Sequence, residues 1–176
     1  MADKTAVFFC SASNRIDPKY NDLAREAIRA ACAVGYDIRS GGTVKGTMKV
    51  ICDEARACGA RVTAAIPHFM IGLEYPGLDE CEWTPSMSTR KESMREGTCL
   101  AVALPGGIGT IDELIETLVL VKLDQYHGKV MALNFEGFYD PLKTLLDHFV
   151  ITGMMEQKDR DIILFPETID EFKAVL

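Results

Sequence analysis

The 176-residue chain is poor in the short signatures that usually reveal a chemistry. Its six cysteines, Cys10, Cys32, Cys52, Cys58, Cys81 and Cys99, form no CxxC pair, and its three histidines, His68, His127 and His148, show no ligand spacing. A metal or redox site therefore has no support, and reduced thiols buried in apolar surroundings are the expectation. There is no GxSxG elbow for a serine hydrolase. Neither the Walker A order nor GxGxxG occurs. No apolar run approaches the roughly 18 residues of a membrane span. Met1-Ala2-Asp3-Lys4 leads straight into Ala6-Val7-Phe8-Phe9, without the basic segment and cleavage site of a signal peptide. These absences predict a cytoplasmic protein without a membrane partner. Positive charge is also scarce: 19 Lys and Arg stand against 26 Asp and Glu, a net charge of −7 with no basic stripe, which argues against a nucleic-acid surface.

What is present is an ordinary globular mixture, 48% hydrophobic and 26% charged, with no linker, low-complexity tract or internal repeat. Residues 1–176 are expected to form one domain with its own core. Strand and helix patterns alternate along it. Strands are predicted at Thr5–Cys10, Tyr36–Arg39, Arg61–Ile66, Asp79–Trp83, Cys99–Leu104, Lys129–Asn134 and Ile162–Phe165. Helices are predicted from Asp17-Pro18 to Gly35, over Lys45–Cys58, Ser86–Glu96 and Thr110–Leu123, from Asp140-Pro141 to Ile151, and over Glu167–Val175. His68–Leu78 lacks a period and reads as a loop or lid. This alternation predicts an α/β fold, a doubly wound and mostly parallel sheet of Rossmann type.

Two glycine turns follow strands, which places both at the carboxyl edge of the sheet, where ligands bind in such folds. The first is Ser40-Gly41-Gly42-Thr43-Val44-Lys45-Gly46-Thr47-Met48. Its glycines permit close backbone approach to a phosphate or ribose, and they equally suit a plain tight turn. The second is Leu104-Pro105-Gly106-Gly107-Ile108-Gly109-Thr110-Ile111-Asp112-Glu113. A glycine turn from a strand into a helix aims backbone N–H groups outward, and the helix dipole favours an anion there. Glu113 and Glu116 lie just inside the helix. Thr110 and Glu113 have capping-box spacing, so one bland reading is that they only cap the helix. The helix is otherwise heavily apolar, which makes a carboxylate beside a pocket harder to dismiss. Between the turns, Arg90-Lys91 reads either as a solvated pair or as a planar guanidinium that meets an oxyanion.

Taken together, Pro105-Gly106-Gly107-Ile108-Gly109-Thr110-Ile111-Asp112-Glu113 and the preceding Met87-Ser88-Thr89-Arg90-Lys91 resemble the PGGxGTxxE motif and arginine-lysine helix of the Lonely Guy family. These are cytokinin riboside 5′-monophosphate phosphoribohydrolases, also labelled lysine decarboxylase-like. Cys10-Ser11-Ala12-Ser13, the Gly41-Gly42 turn with Gly46 and Met48, and Gly128-Lys129 through Gly137-Phe138-Tyr139-Asp140-Pro141-Leu142 extend the resemblance over nearly the whole chain. It departs from the pattern at Thr43, Lys49, Ser88 and Thr98, which bear on substrate preference.

The resemblance implies hydrolysis of the N-glycosidic bond of a nucleoside 5′-monophosphate, AMP or an N6-substituted AMP, to free base and ribose 5-phosphate, with no metal or organic cofactor. It implies catalytic roles for Arg90 and Glu113. Substrate contacts are expected from Gly41, Gly42, Gly46, Met87, Lys91, Gly106, Gly107, Ile108, Gly109, Thr110 and Glu116, and the family's usual homodimer is the expected assembly. Two other readings stay open. A nucleotide-binding or carrier module would bind without turnover. A pyridoxal-phosphate lysine decarboxylase would need a Schiff-base lysine in a cofactor pocket, for which no lysine here has the context.

Overall fold

A computed structural model describes residues 4–176. The strands are β1 (Lys4–Phe9), β2 (Tyr36–Ser40), β3 (Val62–Pro67), β4 (Glu80–Thr84), β5 (Leu100–Ala103), β6 (Lys129–Ala132) and β7 (Ile163–Leu164). The helices are α1 (Pro18–Ala33), α2 (Gly46–Ala57), α3 (Met87–Arg95), α4 (Ile108–Lys122), α5 (Asp140–Ile151), α6 (Gln157–Arg160) and α7 (Ile169–Val175). The strands form one sheet in the order β4-β3-β2-β1-β5-β6-β7, and every pairing between them is parallel. The predicted doubly wound sheet is what forms.

The strand pattern explains the layers. Side chains alternate across a strand, so Ala6 and Phe8 of β1 pack on one face while Val7 and Phe9 pack on the other. The first face is covered by α1, α2 and α7, through Ala27, Ile28, Ile51 and Phe172. The second is covered by α3, α4 and α5, through Met94, Leu114 and Leu146. Both faces being covered accounts for strands that read as near-continuous apolar runs rather than alternating ones.

Strand order reverses between β1 and β5, since β1 pairs with β2 on one side and β5 on the other. A crevice opens at such a reversal, beyond the carboxyl ends of the strands. The segments after β1, β2, β3 and β5 converge there.

Some elements differ from the sequence reading. Helix α4 starts at Ile108 with Gly107 as its N-cap, two residues earlier than predicted, and no side chain caps it. The Thr110–Glu113 capping box is therefore not made; both residues already lie within the first two turns. The short α6 had no signal, because four residues carry too little period to read. The 68–78 segment is stitched down rather than free. It opens with a 3₁₀ turn at His68–Met70, Val44 N–H donates to Leu73 O and Tyr75 N–H to Gly42 O, each at 2.8 Å, and Thr43 bridges Glu74. The cysteines are free thiols, but only Cys52 is fully buried, and Cys58 and Cys99 are exposed.

Candidate active site

A cleft of about 430 Å³ lies at the β1/β5 reversal. Its floor and walls come from Cys10 to Ser13 after β1, from Gly41, Thr43, Lys45 and Met48 after β2, and from Met70 and Leu73 after β3. Met87, Arg90, Lys91 and Met94 of α3 and the Gly107–Glu113 stretch of α4 complete it. Of the residues expected to meet a ligand, Gly41, Met87, Arg90, Lys91, Gly107, Ile108, Gly109, Thr110 and Glu113 line this cleft, whereas Gly42, Gly46, Gly106 and Glu116 do not. Ser11, Thr43, Met48, Met70 and Asp112 also line it, though none was among the expected substrate contacts. Only the convergence of four strand ends brings them in. His68 stacks on Trp83 at 6.1 Å, outside the lining.

The two catalytic candidates, 23 positions apart, meet. Arg90 Nη1 donates to Glu113 Oε1 at 2.9 Å, and Arg90 Nε donates to the Ala65 carbonyl at 3.1 Å. Both side chains are about nine-tenths buried. Burial pushes the Glu113 carboxyl above the usual glutamate range, against the Arg90 guanidinium, which pulls it down. Gly41 makes room for this pair: a Cβ there would lie 2.2 Å from Arg90 Nη2. Glu113 is thus no helix cap. It is a buried carboxylate on a cleft wall, paired with one cation.

The two glycine turns are opposite in hydrogen bonding. In the first, Gly42 N–H donates to Ser40 Oγ, Val44 to Leu73 O, Gly46 to Asn14 Oδ1 and Thr47 to Ser11 O. Those amides are consumed by the protein. Gly42 and Gly46 serve packing, because a Cβ would lie 2.1 Å from the Ala64 Cβ or 2.6 Å from the backbone of Ser11 and Ala12. In the second turn, no protein acceptor among the described residues takes the N–H groups of Gly107, Ile108, Gly109 or Thr110. These amides open on the cleft at the positive end of a 15-residue helix, which is an anion cradle.

Beside the pair, α3 and α4 are laced together. Lys91 Nζ lies 2.9 Å from Asp112 and 3.0 Å from Glu116, and Arg95 Nη1 lies 3.2 Å from Glu116. Burial works against the Lys91 charge, but the hydrogen bonds it donates to both carboxylates outweigh it and hold its pKa above the ordinary lysine value. Glu116, a candidate substrate contact by sequence, bridges two cations of α3. The i, i+4 spacing of Lys91 and Arg95 faces the i, i+4 spacing of Asp112 and Glu116.

Residues 48–175 match the family described as "Possible lysine decarboxylase". The chain is 31% identical over 170 residues to a rice (Oryza sativa subsp. japonica) protein named "Probable cytokinin riboside 5'-monophosphate phosphoribohydrolase LOGL3", covering 96% of this chain and 81% of the relative. It is 30% identical to the rice "Cytokinin riboside 5'-monophosphate phosphoribohydrolase LOG", covering 93% and 68%. In fold it is similar to the molybdenum cofactor carrier protein of Chlamydomonas reinhardtii, with a TM-score of 0.74 at 15% identity over 98% of this chain and 95% of that one. The chain belongs to the family that these phosphoribohydrolases represent.

Proposed function

We propose that this family member hydrolyses the N-glycosidic bond of a nucleoside 5′-monophosphate, AMP or an N6-substituted AMP, releasing the base and ribose 5-phosphate. The observation that carries the reading is the buried Arg90–Glu113 pair on the wall of a cleft whose mouth holds the free amides of residues 107–110.

The chemistry follows from charge. The 5′-phosphate takes the α4 N-terminus, where N–H groups and the helix dipole oppose its charge. As the C1′–N bond breaks, its electron pair leaves with the base and positive charge builds on the ribose, as in other glycosidic cleavages. The Glu113 carboxylate stabilises that charge and accepts a proton from the water whose oxygen bonds to C1′, while the departing base takes up one proton, so that one water is consumed and the protons balance. Arg90 keeps Glu113 ionised in a buried setting and contributes to holding the substrate and easing departure of the base. Met87, Ile108 and the neighbouring methionines give the base an apolar, adaptable wall. Lys91 does its work through Asp112 and Glu116. Held protonated between two carboxylates, it is in the opposite state to a Schiff-base lysine, which must lose its proton.

The reading includes a homodimer, supported by apolar side chains exposed along α4 and at its C-cap: Ile108, Val119 and Leu123. It also places the protein in the cytoplasm, in keeping with six free thiols. The test is incubation with AMP, N6-substituted AMP and adenosine, with free base followed by chromatography. Base release that depends on the 5′-phosphate is the expected result. Calorimetric binding of AMP with no base after hours would overturn it in favour of a nucleotide carrier.

A further inference from the structure

The segment Gly137-Phe138-Tyr139-Asp140-Pro141 plays no part in the chemistry above, yet it reaches the anion cradle from behind. Tyr139 is 2% exposed, and its hydroxyl donates to the Leu104 carbonyl at 2.6 Å across 35 positions of sequence. Leu104 is the residue at which the chain leaves β5 for Pro105-Gly106-Gly107; its own N–H is held by Phe9 O at 2.9 Å. On the far side of the turn, Gly106 lies so close to Thr110 that a Cβ would sit 2.1 Å from Thr110 Oγ1. The turn is therefore gripped at both ends, and the amides between them are the free ones.

Tyr139 is itself held. The buried Asn134 accepts from Tyr139 N–H at 2.7 Å through Oδ1 and donates to Asp140 at 2.8 Å through Nδ2, while its own N–H is taken by Pro166 O at 2.8 Å. Glu136 and Gly137 adopt the left-handed region, at φ of 51° and 73°, to fold this turn back on itself. Phe138 packs edge-on against the Tyr139 ring at 5.0 Å. Burial pushes the phenol pKa up, so the hydroxyl remains a donor across the working range of pH.

We infer that Tyr139 is a positioning residue for phosphate: by donating to Leu104 O it sets the direction in which the chain enters α4, and so where the amides of residues 107–110 point. Without it, Leu104 O becomes a buried acceptor with no partner and the entry to the turn loosens. This rests on the nucleotide reading given above.

The test uses the full chain with Tyr139→Phe, which keeps the ring and deletes the donor. Calorimetry with ribose 5-phosphate and steady-state cleavage of AMP are read together with thermal melting. The expected result is a roughly tenfold weaker Kd for ribose 5-phosphate and a similar rise in KM for AMP, with kcat within about twofold, the size of effect one buried hydrogen bond carries. Unchanged Kd and KM would overturn the inference, even if the melting temperature fell. A loss in kcat at unchanged KM would overturn it as well, since the pair at Arg90 and Glu113 would then be what had moved. Should Tyr139→Phe fail to fold, Asn134→Ala, which frees the backbone of Tyr139, is expected to give the same KM-weighted loss and is judged by the same outcomes. If the unaltered chain binds neither ribose 5-phosphate nor AMP, the nucleotide reading itself fails and the positioning role falls with it; if only the variant behaves as the unaltered chain does, the nucleotide reading stands and the role alone is lost.

Discussion

Arg90 and Glu113 stand 2.9 Å apart between α3 and α4, with 6% and 8% of each residue left exposed. Among the described residues, each is the other's only charge partner within salt-bridge distance. Deleting one therefore does more than remove a contact, because it leaves a buried charge uncompensated.

Glu113→Gln is the cleaner probe, since it keeps shape and a hydrogen-bond acceptor for Arg90. Base release from AMP should fall by about 10²- to 10⁴-fold, the range for a positioned acid–base or charge-stabilising group. Arg90→Ala should lose activity to a similar degree and also cost about 3 kcal/mol of stability from the stranded carboxylate. Chromatographic rates alongside denaturant melts decide this; near-normal turnover in Glu113→Gln would remove the glutamate from the reaction.

The pH dependence follows from the direction of the Glu113 shift. Burial favours the neutral form, so the carboxylate that the chemistry needs is lost at a pH above the ordinary glutamate value of about 4.3. The acid limb of kcat/KM should be displaced upward accordingly. Stability runs the other way. The folded chain holds this proton more tightly than the unfolded one, so the contribution of the group is fullest below about pH 4.3 and is lost as pH rises through the folded pKa. An acid limb at or below the unperturbed value would contradict the burial argument.

Glycine substitutions separate space from flexibility. Gly41→Ala drives a methyl to 2.2 Å from Arg90 Nη2 and 2.6 Å from Met48 Sδ, and Gly106→Ala drives one to 2.1 Å from Thr110 Oγ1. Both should impair base release at least tenfold, the first by displacing the guanidinium and the second by distorting the cradle. Nothing lies within 4 Å of a Cβ at Gly107 or Gly109, and neither has positive φ. Alanine at those sites should be tolerated by the fold, as circular dichroism melts would show. Equal damage at all four positions would mean that the turn needs glycine for another reason.

Glu116→Gln tests whether that residue binds ribose or binds helices. Arg95 is 6% exposed, and Glu116 is the carboxylate it meets. The substitution should lower stability by about 1–3 kcal/mol while leaving KM for AMP within about twofold. A large rise in KM at unchanged stability would restore the sequence-based expectation of a substrate contact.

Much of the site was legible before folding was considered, for identifiable reasons. Leu104 to Glu113 combine a strand end, a turn and a helix start within ten positions, so local pattern marks this stretch as a candidate anion cradle. Arg90 was readable as a solvated cation or as a guanidinium for an oxyanion, but its contact with Glu113 spans 23 positions that no local pattern connects. Of the two readings of Thr110 and Glu113, the capping box is not made, because Gly107 begins the helix earlier and both side chains are buried. Glu116 looked like a neighbour of Glu113, one turn on. Cations from α3 claimed it instead.

The alternation of apolar strands with amphipathic helices, and hence a two-faced sheet with its glycine turns on one edge, is written in the residues themselves, because side-chain period and turn chemistry act over a few positions. Which turn could receive an anion is not. Ser40, Asn14, Ser11 and Leu73 arrive from β2 and from other segments of the chain to occupy the amides of the first turn, and among the described residues none occupies those of residues 107–110 in the second. That choice, like the meeting of Arg90 with Glu113, was made by tertiary packing, since a hydrogen-bonding group is free or taken only once the rest of the chain is in place.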